Sequence, residues 1–152
     1  MIGIVDVLLA NLDEAYGRKG WHGPTLRGAL RGLTVGEVLW RPSARRHNIW
    51  ELAMHCAYWK YAVRRRLTGE KRGSFPLKGS NWFAAPEGAD DDTWRDALRI
   101  LDEQHVRLRA AIESLPKAGF GEMKRVRLIY GIAAHDLYHT GQIQLTKRLQ
   151  QS

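Results

Sequence analysis

The chain has 152 residues, a single cysteine and a formal net charge of +8. That length suits one domain, spanning 1–152, with a core large enough to hold without disulfides, and the lone Cys56 excludes an intramolecular bridge. No run reaches the roughly 18 apolar residues of a membrane span and no leader-like segment opens the chain, so a cytoplasmic protein with no membrane partner is expected.

The positive charge is dispersed over Arg45-Arg46, Arg64-Arg65-Arg66, Lys71-Arg72, Lys124-Arg125 with Arg127, and Lys147-Arg148. Several clusters fall at expected helix ends, where cations complement the backbone dipole. No nucleic-acid-binding motif accompanies them, so no nucleic-acid partner is expected. The charge is compatible with an acidic or carboxylate-bearing small molecule.

Val5, Leu8, Leu12 and Tyr16 recur at helical spacing and predict a first helix over residues 2–16. Glycines at 17, 20 and 23 end it, and Trp21-His22-Gly23-Pro24 reads as a loop. Pro24 suits the first position of a short helix over 25–33. Thr34 followed by Glu37 is a capping-box pattern for a second short helix to about Trp40, closed by Arg41-Pro42. With Asn48 or Ser43 as cap, a long helix over 47–67 carries the seam Ile49, Leu52, Cys56, Trp59 and Val63, and Thr68-Gly69 ends it. Cys56 reads as a small core residue. His55 flanks the seam, with Glu51 one turn earlier as a candidate supporting partner.

Residues 70–92 form a long glycine- and proline-punctuated connection holding Phe75, Trp82 and Phe83. In a bundle, such a connection allows successive long helices to run parallel. Asn81-Trp82-Phe83 is a candidate lining of a site, or else an anchor for the crossover. The acidic start Asp90-Asp91-Asp92 opens a helix over 93–115 with the seam Leu98, Leu101, His105, Leu108, Ile112 and Leu115. His105 on that seam is either a core histidine satisfied by hydrogen bonds or a supporting or additional ligand. Pro116 and Gly119 close this helix.

The final helix, expected over 125–149, carries His135-Asp136-Leu137-Tyr138-His139. Histidines four apart share a helix face and can reach one metal ion. Leu128, Ile132, His135, His139 and Ile143 recur at intervals of three and four, so both rings fall on the apolar stripe, where unpartnered polar groups are costly. A metal would satisfy both, as would hydrogen bonds within a core. The pair supplies only two ligands. A zinc-protease reading would need Glu after the first histidine, and Asp136 stands there. Four long amphipathic helices and no strand make an all-α, four-helix-bundle fold.

The segment His47-Asn48-Ile49-Trp50-Glu51-Leu52-Ala53-Met54-His55-Cys56-Ala57-Tyr58-Trp59, the stretch from Leu33-Thr34 to Trp40-Arg41-Pro42, and His135-Asp136-Leu137-Tyr138-His139-Thr140-Gly141-Gln142-Ile143 resemble motifs of the DinB/YfiT-like superfamily of metalloenzymes. That family is unrelated to the polymerase sharing its name. The resemblance implies a bundle with crossover topology and a divalent transition metal, zinc or nickel, held by His55, His135 and His139. Three histidines leave a coordination position open. Characterised relatives imply a transferase that uses a low-molecular-weight thiol as cosubstrate, acidified at the metal before it attacks an electrophile. Two alternatives remain: a metal-dependent hydrolase, with Asp136 or His105 as base, and a non-catalytic metal-binding stress protein. Leu137 and Leu145 are candidates for a homodimer face, or for packing against the short helices.

Overall fold

Six α-helices and one 3-10 turn make up the computed structural model, which describes residues 1–152 and contains no strand. The helices are α1 (Ile4–Tyr16), α2 (Leu26–Ala29), α3 (Val35–Leu39), α4 (Ile49–Thr68), α5 (Asp91–Glu113) and α6 (Met123–Gln150), with the 3-10 turn at Lys117–Gly121. None is long and apolar enough to cross a membrane.

Local chemistry sets the helix ends. Thr34 and Glu37 form the expected capping box at α3, and Asn48, rather than Ser43, caps α4 by accepting from the Glu51 N–H at 2.8 Å. Gly69 takes the left-handed conformation that stops α4, at φ 77°. The short helix expected over 25–33 is only Leu26–Ala29. Thr25 caps it by accepting from the Gly28 N–H, so Pro24 lies outside, and Gly32 breaks the chain at φ 73°. Helix α5 begins two residues earlier than expected because Asp90 caps it, accepting from the Thr93 N–H. It stops at Glu113, ahead of Leu115, whose following proline disfavours helical backbone.

Named contacts give the helix directions. Trp50 packs near Trp94, and further along Lys60 meets His105, so α4 and α5 run parallel. Residues 69–90 make the return that a short turn could not. His55 meets His139 while Trp59 meets His135, so α6 runs antiparallel to α4. Tyr16 meets Asp102 and Asp13 meets Arg109, so α1 runs antiparallel to α5. The result is a four-helix bundle in which α1 packs on α6 and α5, and α4 on α5 and α6.

Two apolar clusters fill it. The first gathers α2, α3, the first half of α4, Phe83, Trp94 and Ile143. The second gathers Leu8, Leu12, Val63, Leu108, Ile112, Ile129 and Ile132. Between them lies a slab of buried polar side chains that includes Asp13, His55, Lys60, Gln104, His105, Asp136 and His139. Leu137 packs partly onto the second cluster, while Leu145 is exposed.

Candidate metal centre

Helix α4 presents His55, and α6 presents His135 and His139, at one height in the bundle. The Nε2 atoms of His55 and His135 lie 3.1 Å apart, as do those of His135 and His139. His55 and His139 are buried and His135 is half-buried.

Proton counting shows what this cluster lacks. The Nδ1 of His55 lies 2.9 Å from the Asn81 carbonyl oxygen, and the Nδ1 of His139 lies 2.6 Å from the Gln142 side-chain oxygen. The Asn81 carbonyl only accepts, which puts the His55 proton on Nδ1, and with the Gln142 amide turned oxygen-first toward it His139 does the same, so both rings turn a bare lone pair inward at Nε2. His135 can donate one N–H to one neighbour, and another lone pair is left facing a lone pair. A cation satisfies all three at once. Two nitrogens bound about 2.0–2.1 Å from a tetrahedral ion stand roughly 3.3 Å apart, close to the spacing found here. The residues fit a divalent ion, and the buried cluster of His55, His135 and His139 could hold one.

Electrostatics keep the rings ready as ligands. Burial pushes His55 down to about 4, against the Asn81 hydrogen bond and with help from His139 and His47. Burial and then the His139, His55 and Lys60 charges push His135 down to about 3. Burial also lowers His139, against its hydrogen bond to Gln142. All three are neutral near pH 7, the form that binds metal.

The long connection closes over this cluster. Trp82 stacks on His55 with ring centroids 3.9 Å apart, and on its other neighbour His47 at 3.6 Å. Asn81 takes a positive φ of 67°, which asparagine tolerates better than most residues. That turn lets its backbone carbonyl face His55 while its side-chain oxygen accepts from Trp59 Nε1 at 2.9 Å. Trp82 therefore lies against the cluster and also anchors the crossover.

Glu51 does not support His55. Its carboxylate is held by Arg41 and by His47 at 2.9 Å, and it caps the Asn48 N–H. One helical turn toward the N-terminus aims it at the α3–α4 junction. The ring of His55 is held by Asn81 instead.

Asp136 and His105 belong to a buried network beside the cluster. Asp136 and Lys60 are both fully buried and form an ion pair. The Lys60 ammonium also lies 3.4 Å from His105 Nδ1 and over the Tyr16 ring. His105 stacks on Tyr16 at 3.8 Å, and its Nε2 is 3.8 Å from Asp13. Burial and then the Lys60 and Arg109 charges push His105 down to about 3. It stands outside the three converging rings. One Asp136 oxygen and the Nδ1 of His135 are buried without hydrogen-bond partners, and Cys56 lies close to both residues. Burial raises the Cys56 thiol well above its ordinary range, so it is a protonated core thiol.

The roles of Asn81, Gln142 and Lys60 are not assigned by the sequence patterning, although Asn81 lies in the expected lining and Gln142 in the C-terminal motif. Gln142 is one turn after His139, and Lys60 one turn after Cys56 on the buried seam, so both carried a periodicity signal. Asn81 acts on His55 through a backbone carbonyl, which no side-chain pattern reveals.

These features define a helical-bundle protein with a buried three-histidine cluster able to bind metal. Among known families, the DinB superfamily matches residues 20–143, which covers most of the chain and all three histidines. The chain belongs to the DinB superfamily. No curated protein and no solved structure matches it.

Proposed function

We propose that this protein is a metal-dependent enzyme, a transferase that activates a low-molecular-weight thiol at a zinc or nickel ion held by His55, His135 and His139. The observation that carries the reading is the convergence of three Nε2 atoms, two of them committed as lone-pair donors by the hydrogen bonds at their Nδ1 atoms. Three neutral imidazoles leave the net charge of the ion intact and a coordination position open, the pattern of reactive rather than structural sites. The ion supplies Lewis acidity, which lowers the pKa of a thiol at that position toward neutrality.

The chain's own residues do the rest. Asn81 and Gln142 fix the tautomers and orientations of His55 and His139. Trp82 covers the His55 face and limits water. His135, half-buried, is the ring that faces an open groove along α4 and α6. The substrate is a small molecule entering there. Thiol activation needs only loss of the thiol proton to solvent at the metal, whereas hydrolysis of an ester or amide also calls for a residue that passes a proton to the leaving group. Asp136, the carboxylate nearest the cluster in sequence, is fully buried and tied to Lys60, which supports the thiol reading over the hydrolytic one.

Titrating candidate thiols into cobalt-substituted protein tests the reading. Sulfur binding is expected to produce a strong charge-transfer band and a shifted d–d spectrum. Spectra that stay unchanged with every thiol at millimolar concentration would count against it.

A further inference from the structure

Helix α6 has a glycine in its interior, Gly131, one turn before His135. Glycine there weakens a helix relative to alanine, and no packing demands it, because a Cβ at this position would meet no atom within 4 Å. The open space is a groove of about 300 Å³ between α4 and α6. Trp59, Leu128 and Ile132 give it an apolar floor, and His135 lines one end. Lys124 and Arg127 also line it. At 1.5 Å of rise per residue, they lie about 16 and 12 Å along the helix from His135.

These two cations are exposed and form no ion pair, whereas their neighbour Arg125 is paired with Glu122. A third cation, Arg66, lies over the Trp59 ring at 5.5 Å and shares an adjoining hollow with Lys124. Thus one end of the groove meets the histidine cluster, the middle is apolar, and the far end is positive, with three cations besides Arg125, which pairs with Glu122, the one carboxylate of the adjoining hollow. Such a groove complements a ligand with an apolar body and an anionic end.

We infer that this groove binds a small, largely apolar molecule ending in a carboxylate or phosphate, with the anion on Lys124 and Arg127 and the body passing Gly131 toward His135. This names the class of the electrophilic substrate and rests on the proposed thiol transfer for its reaction, though not for its binding.

The test measures binding of decanoate, decyl phosphate and decanol to metal-free and metal-loaded protein, by calorimetry and tryptophan fluorescence. At least one anion is expected to bind ten times more tightly than decanol, and the tighter of the two identifies the headgroup. The double variant Lys124→Ala/Arg127→Ala should erase that advantage and leave decanol binding unchanged. Gly131→Leu should weaken all three at least tenfold, while Gly131→Ala keeps the fold and shows that the helix tolerates a side chain. Equal affinity for decanol and both anions, or an anion preference that survives the double variant, would overturn the assignment. Because the metal-free protein gives the same readout, a failure of metal or thiol binding leaves this result separately interpretable.

Discussion

Gln142 holds His139 through the ring nitrogen that does not face the cluster. Removing such a partner costs metal affinity more than it costs the fold, typically 10- to 100-fold. Gln142→Ala should therefore weaken zinc or nickel binding by about that factor in a chelator competition, with the unfolding midpoint of the metal-free protein nearly unchanged. Glu51 gives a contrasting case. Burial pushes its carboxyl up, but hydrogen bonds from Arg41, His47 and the Asn48 N–H outweigh this and hold it below its ordinary value of 4.5. A lowered folded value means that the unfolded chain takes up the proton first as pH falls. The stabilisation is thus complete above about 4.5 and disappears as pH drops through the folded value. Glu51→Gln should cost about 1–2 kcal/mol at pH 7 in urea unfolding, and the gap to the unmodified protein should close in acid. At this scale the sequence was partly readable. The i, i+4 histidines on an apolar stripe were plain from spacing. His55 entered through its motif, because nothing in periodicity links a residue on α4 to a pair some 80 positions later.

Helix α4 places Lys60 one turn beyond Cys56, in the buried slab, where its ammonium meets Asp136 of α6. A buried pair is costly to break from one side, because the remaining charge stays desolvated. Lys60→Met should destabilise the protein by about 3–5 kcal/mol, and the double variant Lys60→Met/Asp136→Leu should recover most of that loss. Denaturant unfolding of the three proteins checks both statements, and an additive double variant would mean the two residues are not coupled. The helices themselves were readable from sequence because their seams repeat every three or four residues and their caps are side chains. The ends that moved did so for local reasons. Thr25 and Asp90 turned out to be caps, and Pro116 stopped α5 early. The parallel run of α4 and α5 followed from the length of the 70–92 connection. Its path across His55 depends on one left-handed Asn81, which sequence does not announce.

Over the whole molecule, two apolar clusters clamp a polar slab, and the histidine cluster is the part of that slab that reaches the groove. The clusters stabilise the bundle, so the slab can carry groups that a uniform core would exclude. Its cost falls when each group finds a partner. Lys60 and Asp136 find each other, His105 finds Tyr16 and Lys60, and of the three converging imidazoles at least one lone pair is left without a hydrogen among the side chains around it. That deficit is the basis for assigning a metal here. Metal content of protein purified without a nickel column or chelator, measured by mass spectrometry beside His139→Ala, tests it most directly. Near-stoichiometric zinc or nickel that is lost in the variant is the predicted result. A well-folded protein that is metal-free and takes up no added zinc or nickel would contradict it.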